Sequence, residues 1–217
     1  MSLYSKIQKA AIFAMLTIIG TGCSVFGVHD YESPGYKVIQ QDGDKEIRYY
    51  KPFIVAKTTV KGDFKEAQSS AFRILADYIF GNNIKKQKIA MTGPLVQKKD
   101  AQNEKIAMTG PVVQSGSGDE WVMTFMMPST YAMEELPTPK DKRVSFEKIP
   151  ARYVAIIRYG WYGSLERNQD KAKELLDWLA KNKDFKVVSP PMYAGYDPPW
   201  TIPFFRHNEM MVELQKN

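Results

Sequence analysis

The chain has 217 residues, 44% of them hydrophobic and 25% charged, and a net charge of +6. It is long enough for one substantial domain or two small halves, and its balance is that of a globular rather than a disordered protein. The basic excess fits a solvated, lysine-rich surface; with no arginine-rich tract or nucleic-acid module, nucleic acid is not an expected partner.

A leader comes first. Lys6 and Lys9 precede an apolar run from Ala10 to Ile19, broken only by Thr17, and Gly20-Thr21-Gly22 places small residues ahead of Cys23, the only cysteine. One cysteine excludes an intramolecular disulfide, a four-cysteine zinc site and a thiolate cluster. The apolar run is short of the roughly 20 residues that span a bilayer, and the layout is that of a secretory signal. Because it ends on Cys23 it resembles a bacterial lipoprotein signal, although Gly20 stands where a large aliphatic residue is usual. The expectation is a signal peptide over 1–22, a lipidated Cys23 and a tether over 23–34, with Ser24 directing a bacterial chain to the outer membrane, facing the periplasm. An ordinary cleaved signal and an uncleaved anchor are the alternatives.

Tyr36 to Gln40 and Lys45 to Tyr50 read as strands around an Asp42-Gly43-Asp44 turn, and Phe53 to Val60 as a third. Asp63 is the expected N-cap of a helix with the buried stripe Phe64, Ala67, Ala71, Leu75 and Tyr78, closed by Gly81-Asn82-Asn83. Then comes a repeat: Lys88 to Gln97, Lys-Ile-Ala-Met-Thr-Gly-Pro-Leu-Val-Gln, returns at Lys105 to Gln114 with Leu95 changed to Val112. Each copy reads as a strand interrupted by Gly-Pro, and the two as a hairpin whose arms carry the same kink. A strand over Glu120 to Met127 follows.

Beyond Pro128 the order recurs. Strands are expected at Arg143 to Ile149 and Arg152 to Tyr159. Ser164 then caps a helix from Leu165 to about Ala180, with Leu165, Ala172, Leu175, Leu176 and Leu179 inward. Val187-Val188, Met192 to Tyr196 and Glu209 to Leu214 close the sheet. Neither half covers its own sheet, so both should pack as one α+β domain, helices on one face of an antiparallel sheet and a cleft on the other.

The doubled Lys-Ile-Ala-Met-Thr-Gly-Pro segment resembles the paired Met-Thr-x-Pro motif of the SOUL/haem-binding-protein family. Tyr196-Asp197-Pro198-Pro199, followed by Arg206-His207-Asn208-Glu209, resembles that family's Tyr-Asp-Pro-Pro and Arg-Arg-Asn-Glu ending. The resemblance runs from about Tyr36 to Leu214, within a domain bounded at 35–217. It implies a duplicated βαββ unit in a barrel-like sheet, the SOUL/GyrI-like fold shared with the ligand-sensing domain of certain transcriptional effectors. It also implies binding of haem or another tetrapyrrole as the cofactor-like ligand. The leading reading is a non-catalytic haem carrier or buffer, anchored to the membrane by its lipid.

Haem requires an apolar slot, basic partners for its propionates and optional axial ligands. His29 falls in the tether, outside any ordered pocket. His207 stands where the family more often has arginine; it is either a surface histidine at a strand entrance or an axial ligand. Strand parity places His207, Glu209 and Met211 toward the cleft, and Met210, Val212 and Leu214 toward the helices. The loop with Tyr196, Trp200, Phe204 and Phe205 is either a lid on the core or one wall of the slot. Thr201 and Ile202 stand where a basic residue is usual, leaving Arg206 or Arg73 for a propionate. Leu75, Met91 and Met108 complete the expected lining, the methionines serving as core fillers or weak iron ligands.

Glu209 carries the alternative function, a hydrolase or binder of small hydrophobic molecules. Burial is expected to raise its pKa, with Trp161 and Tyr162 as partners across the axis, or a bridge to Arg206 or a lysine instead. No nucleophile motif, Walker loop or histidine–carboxylate metal motif occurs, so a binder is favoured over an enzyme.

Overall fold

The computed structural model describes residues 32–85, 103–197 and 200–217. The leader, Cys23, His29, the first copy of the repeat with Met91, and Pro198-Pro199 lie outside these residues. Twelve strands and two helices are formed among the described ones. In chain order they are β1 (Tyr36–Asp42), β2 (Lys45–Tyr50), β3 (Phe53–Lys61), α1 (Phe64–Ile79), β4 (Asn83–Ile84), β5 (Val112–Ser117) and β6 (Glu120–Met126). The second half supplies β7 (Thr138–Pro139), β8 (Ser145–Ile149), β9 (Arg152–Tyr159), α2 (Leu165–Leu179), β10 (Phe185–Val187), β11 (Met192–Gly195) and β12 (Asn208–Lys216).

Ten strands form one antiparallel sheet in the order β1-β2-β9-β12-β11-β5-β6-β3-β8, with β10 also on β12; β4 and β7 pair separately. The connectivity forces this sheet to curl. β2 and β3 are joined only by Lys51-Pro52, yet they stand second from opposite ends of the order. Six strand spacings would part them by about 29 Å in a flat sheet, whereas three Cα steps reach at most about 11 Å. The outcome is an α+β half-barrel with a convex and a concave face, and the expected fold class is observed.

Both helices lie on the convex face. Asp63 caps α1, accepting from the Lys65 and Glu66 amides at 2.9 Å, and Ala67, Ala71, Ile74, Leu75, Tyr78 and Ile79 bury against Ala56, Val60, Met123 and Phe125. Ser164 caps α2 through the Arg167 amide. Its Ala172, Leu175 and Leu179 pack on Ile47, Ala155, Ile157, Met210, Val212 and Leu214. Two expected members of the α2 stripe, Leu165 and Leu176, are exposed. Asn168 is buried in their stead and accepts a 2.6 Å hydrogen bond from the Tyr159 hydroxyl, so a satisfied polar pair replaces an apolar contact.

The repeat departs from its expected form. In its second copy the strand begins only at Val112, after Gly110-Pro111, and pairs with β6 and β11. Residues 103–109 are not strand. The Ile106 amide donates to the Ile79 carbonyl at 2.9 Å and its side chain is buried against α1. Proline cannot extend a ladder, so the chain before it peels off the sheet and closes the end of the helix instead.

Candidate functional site

The strand alternation that sends Met210 and Val212 to α2 turns Glu209 and Met211 to the concave face, as parity required. Glu209 is fully buried there. Arg48 of β2 reaches across β9 and grips it as a fork, Nη1 donating to Oε2 at 3.1 Å and Nη2 to Oε1 at 3.0 Å. The Tyr196 hydroxyl donates to Oε2 at 2.7 Å, and His207 Nε2 lies 2.9 Å from Oε1. Arg48 is itself held by Glu46 at 2.6 Å and Tyr50 at 3.0 Å, with the Tyr36 ring 4.3 Å below its guanidinium. A charged fork with all its lone pairs engaged is what makes a buried ion pair tolerable.

Two expectations for Glu209 are overturned by this geometry. Its partners are Arg48, Tyr196 and His207, with Arg158 Nε 4.0 Å from Oε1, and not Trp161, Tyr162, Arg206 or a lysine. Its pKa also moves down rather than up. Burial pushes the carboxyl upward, but the His207 hydrogen bond and the Arg48 charge together outweigh it and hold the group at about 2. The same enclosure raises the Tyr50 phenol to about 12 and lifts Tyr196 well above its ordinary value, desolvation being the main cause in both. A carboxylate so acidic, with its oxygens already engaged, is a weak general base.

The network fills one end of the concave face. Beside it, among the described residues, lies a cleft of about 210 Å³, floored by residues such as Val113, Met126, Val154, Met192 and Met211. Its walls carry the ion pairs Lys57–Glu147 and Arg152–Glu213. That volume is below the roughly 300–1,000 Å³ of sites that enclose a drug-sized ligand. Of the nine expected ligand-site residues that are described, none lines this cleft.

Six of those nine stand together elsewhere. Tyr196, Trp200, Phe204, Phe205, Arg206 and His207 all belong to the β11–β12 connection, which meets the β9–α2 turn. The Trp161 amide donates to the Pro203 carbonyl at 2.7 Å, and Arg206 lies 4.6 Å over the Tyr162 ring. Asn208 receives a hydrogen bond from Tyr193 and donates to the Trp161 carbonyl, both at 2.8 Å. Trp161, Tyr162, Trp200, Phe204 and Phe205 are exposed, Trp200 by 67% and Phe204 by 60%. Trp161 holds φ at 70°, a left-handed conformation that bulky side chains avoid. The result is an aromatic shelf with Arg206 over one of its rings, while the half-exposed Arg158 reaches toward Glu209.

The other expected residues are placed apart from it. Leu75 is fully buried beneath α1, Arg73 is on the exposed side of that helix, and Met108 is exposed in the stretch before β5. Among the remaining methionines, Met123 and Met127 are core beneath α1, and Met126 floors the cleft. Sequence reasoning missed Arg48 and Asn208. The signal for Arg48 was its place in Lys-Glu-Ile-Arg-Tyr-Tyr, where Ile47 must face the helices and Arg48 therefore cannot.

The SOUL heme-binding protein family model matches residues 31–213. The chain belongs to that family. Human heme-binding protein 2 is 30% identical over 195 residues, covering 86% of this chain and 87% of the relative. The mouse protein of the same name is 26% identical over 193 residues with the same coverage. Among solved structures, the C-terminal domain of EcmrR matches with a TM-score of 0.55 at 12% identity, covering 84% of this chain and 99% of that one. A hydrolase from Listeria innocua matches with 0.51 at 10%, covering 82% and 94%. At such identities the two structures speak for the shared fold alone. For this SOUL chain, the family supports haem binding.

Proposed function

We propose that this SOUL protein binds haem, or a related tetrapyrrole, against the aromatic shelf, and acts as a non-catalytic carrier or buffer in the bacterial cell envelope. Family membership supports the ligand; the shelf supports the place. The cleft cannot enclose a macrocycle, whereas the shelf exposes five large rings at one edge of the barrel. Each such ring brings about 150–250 Å² of surface suited to a flat apolar partner. The decisive observation is Trp161, kept exposed in a backbone conformation that costs on the order of 1–3 kcal/mol. Strain of that kind persists where an exposed side chain has a use.

The division of labour follows from the geometry. Trp161, Phe204 and Phe205 cover a face of the ring system, with Tyr162 beneath Arg206. Arg206, over the Tyr162 ring, is the shelf cation that would meet a propionate. What haem supplies when bound is an iron with axial positions; everything else is positioning by the chain. Titration of the purified protein with hemin should give a saturable, shifted Soret band with quenching of tryptophan fluorescence. Weak, non-saturable uptake equal to that of an unrelated basic protein would sink the reading.

The envelope location rests on the sequence, on the leader and Cys23. Among the described residues no helix is long and apolar enough to cross a membrane. Mass spectrometry of protein from its host envelope should find a chain starting at an acylated Cys23. An unprocessed chain in the soluble fraction would refute the anchor.

A further inference from the structure

The two chain segments that form the shelf leave the sheet from one row of paired residues. Val112 of β5 pairs with Gly195 of β11, Gly195 with Asn208 of β12, and Asn208 with Tyr159 of β9. Beyond Tyr159 the chain runs into Trp161 and Tyr162, and between Gly195 and Asn208 it carries Trp200, Phe204 and Phe205. The N-terminal segment meets the barrel at the same row. The Glu32 carbonyl accepts from the Gly110 amide at 3.0 Å, two residues before Val112, and its carboxylate accepts from the Ser129 amide at 3.1 Å. The row crosses three strand spacings, about 14 Å. Cys23 stands nine residues before Glu32, a reach of at most about 30 Å. A chain anchored through Cys23 is therefore held by the end of the barrel that bears the shelf.

The shelf also has the chemistry of an interfacial surface. Its five rings are 43–67% exposed. They are fixed in place, with the Trp161 amide tied to the Pro203 carbonyl and the Phe204 and Phe205 rings 4.4 Å apart. Exposed apolar groups gathered at one place mark an interaction surface, as single scattered ones do not. Tryptophan and tyrosine favour the headgroup level of a bilayer, where an apolar body and a polar tip are both satisfied. Residues 161–165 and 200–206 contain one charged side chain, Arg206, and no acidic one. Its guanidinium lies over the Tyr162 ring, a planar fork suited to phosphate. Of the acidic groups just outside these segments, Asp197 accepts from the His207 amide and Glu166 belongs to the first turn of α2. The whole chain carries a net charge of +6, which draws it to an anionic surface.

We propose that the shelf is a membrane-docking surface, seated in the interfacial layer of an anionic bilayer with its rings among the headgroups and Arg206 on lipid phosphate. The inference takes its orientation from the anchor reading and does not rest on haem binding. Lipid and haem would compete for the same rings.

The test places the full chain on mixed phosphatidylcholine–phosphatidylglycerol vesicles whose acyl chains carry bromine near the headgroup, which quenches adjacent tryptophans. No hemin is added. Of the four tryptophans, Trp121 and Trp178 lie off the shelf, donating to the Gly62 carbonyl and to Asp42. The wild type should be quenched, and Trp161→Phe combined with Trp200→Phe should lose most of that quenching. Phe204→Glu keeps all four tryptophans and alters a side chain that is 60% exposed. It should melt as the wild type does and lose quenching several-fold. Equal quenching in the three proteins puts the lipid at Trp121 or Trp178 and overturns the proposal. An unquenched wild type overturns it too, whether the domain stays in solution or hangs clear of the bilayer on its anchor. A changed sedimentation mass in Phe204→Glu, with no quenching in any protein, assigns the shelf to a second copy of the chain instead. Acylation at Cys23 and hemin uptake are read by separate measurements, so the failure of either is distinguishable from failure here.

Discussion

Replacing Glu209 by glutamine removes a charge at the point where the concave face is most enclosed. Its carboxyl titrates at about 2 in the folded protein against an ordinary 4.5. Each pKa unit is worth about 1.4 kcal/mol, so ionised Glu209 contributes roughly 3 kcal/mol. The group is fully buried, so solvent does not discount this figure. It agrees with the roughly 3–5 kcal/mol expected when one partner of a buried pair is deleted. The pKa is depressed on folding, so the contribution is complete above about pH 4.5 and is lost as pH falls toward 2. Glu209→Gln should therefore be several kcal/mol less stable at neutral pH, and the gap to wild type should close with acidification. Urea midpoints at matched ionic strength, from about pH 7 to about pH 3, measure this directly. Parallel curves for the two proteins, with a constant gap across that range, would refute the assignment of Glu209 as the acid-sensitive member of the network.

Tyr196→Phe keeps the stack on His207 but deletes the 2.7 Å donor to Glu209. It should cost about 1.5–3 kcal/mol, as hydrogen bonds to charged groups do, read by thermal or urea denaturation. Gly116→Ala is expected to be destabilising by more than about 1 kcal/mol. Its φ is 143°, and an added Cβ would stand 2.3 Å from the Glu120 carbonyl oxygen across the β5–β6 hairpin. Trp161→Gly should be neutral to about 1 kcal/mol more stable, because relief of the left-handed backbone outweighs glycine's added unfolded-state entropy. The same variant should bind hemin more weakly, and unchanged hemin affinity would count against the shelf.

The fold was legible because its signals are local and periodic. The β9 pattern of Arg152 to Tyr159, the Asp63 and Ser164 caps, and the parity of β12 all survive into the structure. Where the reading slipped, a tertiary contact decided the matter. Ile106 looked like a strand residue and is buried against α1 instead, because Pro111 stops the ladder just beyond it. Leu176 fits a broad helical stripe but is exposed, since the buried face of α2 narrows to Asn168, Ala172, Leu175 and Leu179, and Asn168 is held by Tyr159 on another element. The site was legible only in part for the same reason. The aromatic loop announces itself in composition, and parity alone turned Glu209 inward. No local pattern reveals that Arg48, far away in sequence, would meet that carboxylate and reverse the direction of its pKa.

That reversal bears on where function resides. A buried carboxylate facing an empty cavity would invite a cationic ligand or proton chemistry; one already forked by Arg48 is committed to holding the barrel's interior together. Ligand recognition is then left to the rim, where loops carry side chains that the core does not need. The commitment can be tested by replacing both partners. Buried ion pairs exchanged for apolar residues of similar volume are often neutral or stabilising, whereas losing one partner is costly. Arg48→Met combined with Glu209→Leu should therefore be more stable than either single variant, with a coupling energy on the order of 0.5–3 kcal/mol in a double-mutant cycle. Loss of the carboxylate that accepts from Tyr196 will retain part of the cost, about 1–3 kcal/mol. A double variant no more stable than either single one would refute the reading of Arg48 and Glu209 as one structural unit.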